Sequence, residues 1–205
     1  MKHLYRQKSK VSFEERCLTY KQKPAIFWFT GLSGAGKSTI ADAFEKVLFD
    51  WGYFVYRLDA DDLRQSLNSD LGFSTADREE NIRRAAEVAR ILQEAGLIVL
   101  ASFISPTENS REIARKTARK GLFYEVYVKA DLKTCLERDP KGFYKKAHKG
   151  EIKDYTGIDS NYDEPVNPDL VIDTDEDTVE EAVRKLVFFA RESNVISKDI
   201  REWIY

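Results

Sequence analysis

The residue pattern with the clearest chemical meaning is G-x-x-x-x-G-K-S, which runs from Gly31 to Ser38. This spacing is typical of a glycine-rich loop whose backbone N–H groups cradle the phosphates of a nucleoside triphosphate. In such a loop Lys37 reaches the β and γ phosphates, and the Ser38 hydroxyl binds Mg²⁺. The sequence therefore predicts a nucleotide-binding segment, residues 31–38, which we call the phosphate loop.

A cluster of carboxylates follows a second predicted strand and comprises Asp59, Asp61 and Asp62. Phosphoryl transfer to a hydroxyl group needs a carboxylate that orients or deprotonates that hydroxyl. Three aspartates after a strand are more often a solvated turn, but the phosphate loop in the same chain favours the catalytic interpretation.

Two other groups of polar residues suit an anionic ligand. Arg78 and Asn81 are three residues apart on a predicted helix, so they share a face near its positive end. Residues 139–165 are polar, rich in Lys and Gly, and too long for an ordinary connection. They predict a mobile lid whose cations, Lys141 among them, neutralise the transferring phosphoryl group and exclude water. A disordered basic loop is the alternative.

Phe73 and Tyr155 are aromatic residues in glycine-flanked segments that read as loops. A purine between two such rings would gain about 1–3 kcal/mol per stacking face. Ordinary core packing is the usual role of a single aromatic residue, and the pattern alone leaves both interpretations open.

Alternating strand and helix patterns predict a three-layer α/β/α fold with a central parallel sheet of the P-loop type. We expect residues 24–193 to form this domain, residues 1–23 an N-terminal extension and residues 194–205 a C-terminal tail. Asp77 is the expected N-cap of the helix that follows it, and Thr178 with Glu181 predicts a capping box for the last helix.

Composition excludes several classes of partner. The 205-residue chain has 33 Lys and Arg against 35 Asp and Glu, so no excess of charge favours nucleic acid or a membrane surface. No apolar run approaches the length of a membrane span. Two distant cysteines favour a reduced, cytoplasmic setting, with Cys135 a small buried hydrophobic residue.

Several segments, in order along the chain, resemble those of adenylyl-sulfate kinases, and the similarity covers about residues 23–192. The segments are Gly31–Thr39, Leu58–Arg64, Asp70–Phe73, Glu80–Arg84, Phe103–Pro106, Asp139–Gly142 with Lys145–Ala147, and Tyr155–Ser160. Members of this family transfer the γ-phosphate of ATP to the ribose 3′-hydroxyl of adenylyl sulfate. The resemblance thus implies formation of 3′-phosphoadenylyl sulfate in sulfate assimilation.

The resemblance also implies roles for individual residues. Those on the phosphates of ATP and its Mg²⁺ are Gly34, Ala35, Gly36, Lys37, Ser38 and Thr39, while Arg138 packs against the adenine of ATP. Asp61 is expected to hold or deprotonate the 3′-hydroxyl. The other acceptor residues are Asp62, Leu63, Arg64, Phe73, Arg78, Asn81, Ile104, Ser105, Lys141 and Tyr155. Among these, Phe73 and Tyr155 sandwich the adenine, and Ser105 stands where some members form a phosphoserine. Family members are usually homodimers.

Four positions depart from the family pattern. Ala60 and Ser66 replace glycine, Asp62 replaces asparagine, and Tyr155 replaces phenylalanine. Asp62 adds a negative charge beside an anionic acceptor. This change and Ala60 motivate an alternative, a kinase for the ribose hydroxyl of another nucleotide such as a cytidine diphosphate derivative.

A non-catalytic nucleotide sensor is a third, weaker hypothesis. Such modules tend to lose the phosphate-loop lysine, the metal-binding hydroxyl or the acceptor carboxylate. Lys37, Ser38 and Asp61 are all present here, which favours an enzyme.

Overall fold

The computed structural model describes residues 9–151 and 155–197. Strands and helices alternate along most of this part of the chain. In order, the elements are α1 (Phe13–Tyr20), β1 (Ile26–Thr30), α2 (Lys37–Asp50), β2 (Val55–Asp59), α3 (Ala60–Arg64), α4 (Thr75–Glu94), β3 (Ile98–Ser102), α5 (Glu108–Thr117), β4 (Phe123–Lys129), α6 (Leu132–Arg138), α7 (Phe143–His148), β5 (Leu170–Asp173) and α8 (Val179–Glu192).

The five strands form one sheet in the order β2-β3-β1-β4-β5. Every neighbouring pair is parallel, and Ile26 of β1 lies opposite Val99 on one side and Phe123 on the other. All five residues of β1 are buried because it lies at the centre of the sheet, with helices on both faces. The predicted three-layer α/β/α class is confirmed.

Two hydrophobic clusters hold the layers together. On one face Phe27 and Phe29 of β1 pack with Phe44 of α2 and Leu186 of α8. On the other face Trp28 packs in a cluster that includes Ile82, Ala85 and Ala89 from the apolar stripe of α4. Since all strands are parallel, their carboxyl ends meet at one edge of the sheet, where open α/β folds bind ligands.

Helix N-termini follow local capping chemistry. Thr178 and Glu181 form the predicted capping box of α8, so that prediction is confirmed. The prediction for α4 was wrong by one turn: its N-cap is Ser74, whose hydroxyl accepts a hydrogen bond from the Asp77 backbone N–H. The Ser74 hydroxyl in turn donates to the Asp77 carboxylate at 2.7 Å, so Asp77 takes part in the cap although it is not the N-cap residue.

Residues 9–23 pack on the domain. The ring centroids of Tyr20 and Phe54 are 4.5 Å apart. The buried Gln22 amide donates to the backbone carbonyls of Phe54 and Gly96, at 2.9 Å in each case. The boundary at residue 23 stays a prediction, and residues 1–8 and 198–205 lie outside the described part.

Part of the predicted lid is a helix anchored to the domain. Tyr144 and Ala147 of α7 are buried, and the Tyr144 hydroxyl donates to the Ser33 carbonyl at 3.0 Å. The mobility of residues 139–165 stays a prediction, and residues 152–154 are not described.

Two predictions from composition can be compared with the fold. Cys135 is a free, buried residue of the core, as expected. Across residues 9–151 and 155–197, no helix combines the length and the apolar character that a membrane crossing requires.

Candidate active site

A cavity of about 1290 Å³ opens at the carboxyl edge of the sheet. Its walls come from the phosphate loop, from α3 and the start of α4, from the chain after β3, and from the segments around residues 138–143 and 174–179. Pockets for one small ligand have volumes of roughly 300–1,000 Å³. The cavity is therefore large enough for a donor and an acceptor side by side.

The phosphate loop turns sharply between β1 and α2. Gly31, Gly34 and Gly36 have φ values of 147°, 78° and 97°, which residues other than glycine rarely adopt. A Cβ at Gly31 would lie 2.2 Å from the Val128 carbonyl oxygen. Because α2 begins at Lys37, its N-terminus and free N–H groups face the loop, which favours an anion there.

Lys37 is buried at the start of α2. Its ammonium donates to the backbone carbonyls of Gly31 at 2.9 Å and Leu32 at 2.7 Å. Burial lowers the pKa of Lys37 to about 8. The phosphate loop thus holds a desolvated cation whose charge a phosphate group would stabilise.

Ser38 lies beside a carboxylate that the sequence prediction did not assign to the metal. Its hydroxyl donates to Asp59 Oδ2 at 2.7 Å, and Arg57 lies 3.2 Å from the same oxygen. Asp59 Oδ1 accepts the Asp61 backbone N–H and so caps α3. The position of Asp59 at the end of β2 indicated a place near the ligand edge of the sheet. Only the fold shows that α2 brings the Ser38 hydroxyl to the Asp59 carboxylate.

Asp61 forms an ion pair with Lys141, and both residues line the cavity. Both side chains are about half exposed, so the pair contributes little to stability. The fold therefore brings two predicted site residues into contact: the carboxylate on α3 that is expected to bind the acceptor hydroxyl, and a cation of the predicted lid. Asp62 lines the same cavity, whereas the neighbouring Leu63 turns into the core beneath α3.

Arg64, Phe73 and Arg78 form a second group on the acceptor side. The guanidinium carbons of Arg64 and Arg78 lie 4.5 Å and 5.8 Å from the Phe73 ring centroid. Arg64 also donates to the Gly72 carbonyl at 2.9 Å, and Arg78 donates to the Phe73 carbonyl at 2.9 Å. These contacts orient two cations and one exposed ring toward the cavity.

Asn81 is buried one turn further along α4 and also lines the cavity. Its side-chain carbonyl accepts a hydrogen bond from the Asn68 amide at 2.9 Å. The orientation of the Asn81 amide is fixed by this partner, which sequence spacing alone did not reveal.

Ser105 lies in the cavity wall beside Ile104, in a left-handed conformation with φ 45°. The Ser105 side chain is buried, and its hydroxyl accepts a hydrogen bond from the Trp28 indole at 2.8 Å. Arg111 donates to the Ser105 carbonyl at 3.1 Å. The Ser105 hydroxyl is thus turned toward the core beneath the wall.

Tyr155 lines the cavity, but most of its side chain is buried. Its ring meets Tyr144 edge-on, with centroids 5.1 Å apart. Burial raises the pKa of the Tyr155 hydroxyl. Sequence reasoning left stacking and core packing open for this residue, and the fold places it where it packs in the core and also borders the cavity.

Arg138 is the last residue of α6 and lines the cavity. Its guanidinium donates to the Thr174 hydroxyl at 2.9 Å and to the Thr174 carbonyl at 2.6 Å. Sequence reasoning did not identify Thr174, because a single threonine after a strand carries no distinctive pattern.

Within the described residues, no group of three or more His, Cys, Asp and Glu side chains could hold a metal ion by itself.

The cavity is lined by every residue of the predicted site except Ala35 and Leu63. Ala35 and Leu63 are buried supports, while the others of the set line the cavity or the phosphate loop. The catalytic and binding roles of these residues stay predictions. A parallel sheet, a phosphate loop and a facing carboxylate define a P-loop phosphotransferase with room for two ligands.

The family model for adenylylsulphate kinase matches residues 23–173. The chain therefore belongs to the adenylyl-sulfate kinase family. It is 50% identical over 188 residues to the adenylyl-sulfate kinase of Staphylococcus carnosus, with 92% of this chain and 94% of that protein covered. It is also 50% identical to the Marinobacter nauticus adenylyl-sulfate kinase over 190 residues, which are 93% of this chain and 96% of that one.

Solved structures agree with this assignment. The chain matches the Mycobacterium tuberculosis APS kinase in complex with AMPPNP and APS with a TM-score of 0.79 and 43% identity, covering 83% of this chain and 99% of that one. A gluconokinase from Sinorhizobium meliloti matches with a TM-score of 0.55, 18% identity and coverage of 84% and 95%. At that identity the second match shows the shared fold alone.

Proposed function

We propose that this protein transfers the γ-phosphate of ATP to the ribose 3′-hydroxyl of adenylyl sulfate and releases ADP and 3′-phosphoadenylyl sulfate. The observation that carries the proposal is one cavity with Lys37 of the phosphate loop on one wall and the Asp61–Lys141 pair on another. Family membership supports the substrates, because the M. tuberculosis relative was solved with AMPPNP and APS.

On the donor side, the phosphate loop binds the triphosphate through the N–H groups at the start of α2 and through the Lys37 ammonium. The lysine would exchange its bonds to the Gly31 and Leu32 carbonyls for bonds to phosphate oxygens. The cationic form of Lys37 is favoured by that exchange, which offsets the effect of burial.

The Ser38 hydroxyl and the Asp59 carboxylate are the residues that would hold Mg²⁺. Mg²⁺ prefers oxygen ligands and is usually bound by one or two protein oxygens together with substrate phosphates. The 2.7 Å contact between these two side chains fits such a pair. When bound, Mg²⁺ neutralises charge on the β and γ phosphates.

On the acceptor side, Asp61 orients the 3′-hydroxyl and accepts its proton as the new bond to phosphorus forms. Arg64 and Arg78 receive the phosphosulfate group, and the neighbouring Phe73 ring receives the adenine. Lys141 is paired with Asp61 before substrates bind and then faces the transferring phosphoryl group.

The proposal needs no phosphoserine at Ser105. Its hydroxyl accepts a hydrogen bond from the Trp28 indole in the buried wall, whereas a direct in-line transfer requires only that donor and acceptor are held together. We infer that Ser105 and Ile104 shape the acceptor pocket through the backbone.

The homodimeric state and the cytoplasmic location are part of the same proposal and derive from the family resemblance and the cysteine content.

The acceptor is tested by a coupled assay that measures ADP formation with adenylyl sulfate and, separately, with other nucleoside 5′-phosphoesters. A cytidine diphosphate derivative is the most informative competitor, because Ala60 and Asp62 both line the cavity. We expect the kcat/KM for adenylyl sulfate to exceed that of each competitor by orders of magnitude. Turnover of only the cytidine compound would reject the proposed acceptor.

A further inference from the structure

Thr174 lies just beyond β5, at the edge of the sheet where the cavity opens. Its hydroxyl accepts a hydrogen bond from Arg138 at 2.9 Å and donates to the Ala35 carbonyl at 3.0 Å. The Lys129 carbonyl, at the end of β4, is also within 3.2 Å of this hydroxyl. One side chain therefore contacts the phosphate loop, α6 and β4.

The hydroxyl group is chemically suited to such a bridge. A threonine hydroxyl has one proton to donate and lone pairs to accept with, so it serves a carbonyl and a guanidinium at the same time. The Thr174 backbone carbonyl accepts a second bond from Arg138 at 2.6 Å. The planar guanidinium is therefore fixed in direction as well as in position.

We propose that Thr174 is a positioning residue for the donor nucleotide: its hydroxyl sets the distance between Arg138 and the phosphate loop. This inference rests on the proposed function, in which Arg138 packs on the base of ATP and the loop binds its phosphates. Base and phosphates belong to one ligand, so two subsites held at the right separation bind it more tightly than two independent subsites.

Replacement of Thr174 by valine keeps the shape of the side chain but removes the hydroxyl. The Ala35 carbonyl then loses this donor, and Arg138 loses its bond to the side chain at residue 174. Arg138 keeps its bonds to the backbone carbonyls of Thr174, at 2.6 Å, and Gly34, at 3.5 Å. Affinity for a whole nucleotide falls, whereas affinity for inorganic tripolyphosphate does not, because tripolyphosphate has no base to align with Arg138. Thr174→Ser is the matched control, since it keeps the hydroxyl.

The experiment is calorimetric titration of the full chain with a non-hydrolysable ATP analogue and, separately, with inorganic tripolyphosphate. We expect Thr174→Val to weaken binding of the analogue about tenfold, as the loss of hydrogen bonds to a charged group implies, and to change tripolyphosphate binding less than about twofold. Thr174→Ser recovers the lost affinity. The inference is overturned if the valine variant binds the analogue like the wild type, or if it loses both ligands equally.

A double-mutant cycle with Arg138→Ala tests the coupling itself. If Thr174 acts through Arg138, then Arg138→Ala weakens analogue binding less in the Thr174→Val background than in the wild type. Equal losses in both backgrounds contradict the inference. No acceptor takes part in these titrations, so a failure of the protein to phosphorylate adenylyl sulfate would reject the proposed function and leave this result readable. Unchanged tripolyphosphate binding shows that the variants are folded.

Discussion

At the scale of single residues, the task of each polar group in the site depends on its contacts more than on its residue type. Lys37 was expected on phosphates from its place in the loop, but its burial and its two carbonyl partners came from the fold. Asp59 and Asp61 are two residues apart, yet one caps α3 and holds Ser38 while the other faces Lys141. The sequence predicted the chemistry of these side chains and not the division of tasks between them.

The pKa of Lys37 leads to a prediction for the pH dependence of ATP binding. Burial lowers this pKa to about 8 in the free protein, and triphosphate binding favours the charged form and raises it. Affinity for ATP is therefore highest well below that pH and falls as the pH rises through it. The fall is about tenfold per pH unit until the pH reaches the raised pKa of the complex.

The KM for ATP as a function of pH tests this prediction. The matched control is Lys37→Arg, whose guanidinium keeps its proton throughout the range, so its profile is expected to be flat near pH 8. A wild-type KM that stays constant well above that pH contradicts the assigned state of Lys37. Lys37→Ala is expected to lower turnover by orders of magnitude at every pH.

At the scale of elements, the strands were the most predictable part. The alternating pattern predicted a parallel sheet, and β1 to β5 form it, because parallel strands covered on both faces need continuous apolar residues. Less predictable were α3 and α7, which are short helices in polar segments. Tyr144 packs into the core, and this long-range contact, invisible in the local pattern, anchors α7.

The turn between β1 and α2 gives an element-scale prediction. Gly31→Ala places a methyl group against the Val128 carbonyl at a φ of 147°, so we expect it to destabilise the protein and to abolish ATP binding. Gly121→Ala is the control, because Gly121 also has a positive φ, 75°, but its Cβ would meet nothing within 4 Å.

Thermal unfolding and nucleotide titration of the two variants measure the difference. The control carries only the backbone strain, about 1–2 kcal/mol, and keeps its affinity for ATP. If Gly31→Ala bound ATP as well as Gly121→Ala does, the close passage of the phosphate loop over β4 would not be needed for function.

At the scale of the whole molecule, the alternating strand and helix patterns predicted the layer architecture. They did not predict which residues support the side chains of the cavity. Asn68, Trp28 and Thr174 support the site through contacts with residues far away in sequence. No periodicity or motif marks such partners, since each contact is set by how the chain folds around the sheet. The motifs specified the chemistry, and the topology specified which groups support it.

The oligomeric state is a prediction at this scale. The family resemblance favours a homodimer. Light scattering coupled to size-exclusion chromatography is expected to give twice the chain mass. A mass of one or six chains would reject the dimer.

We infer that one cavity holds the donor phosphates at Lys37 and the acceptor hydroxyl at Asp61. Asp62 supplies a matched control, since it is the next carboxylate on α3 and lines the same cavity. We expect Asp62→Asn to keep turnover and to lower the KM for adenylyl sulfate, because it removes a negative charge beside an anion.

The most direct measurement is formation of 3′-phosphoadenylyl sulfate by Asp61→Asn, with binding of an ATP analogue measured on the same preparation. We expect turnover to fall by about 10²–10⁴-fold, the usual contribution of a general base, while the analogue binds as it does to the wild type. Undiminished product formation by Asp61→Asn would show that Asp61 is not the base for the 3′-hydroxyl.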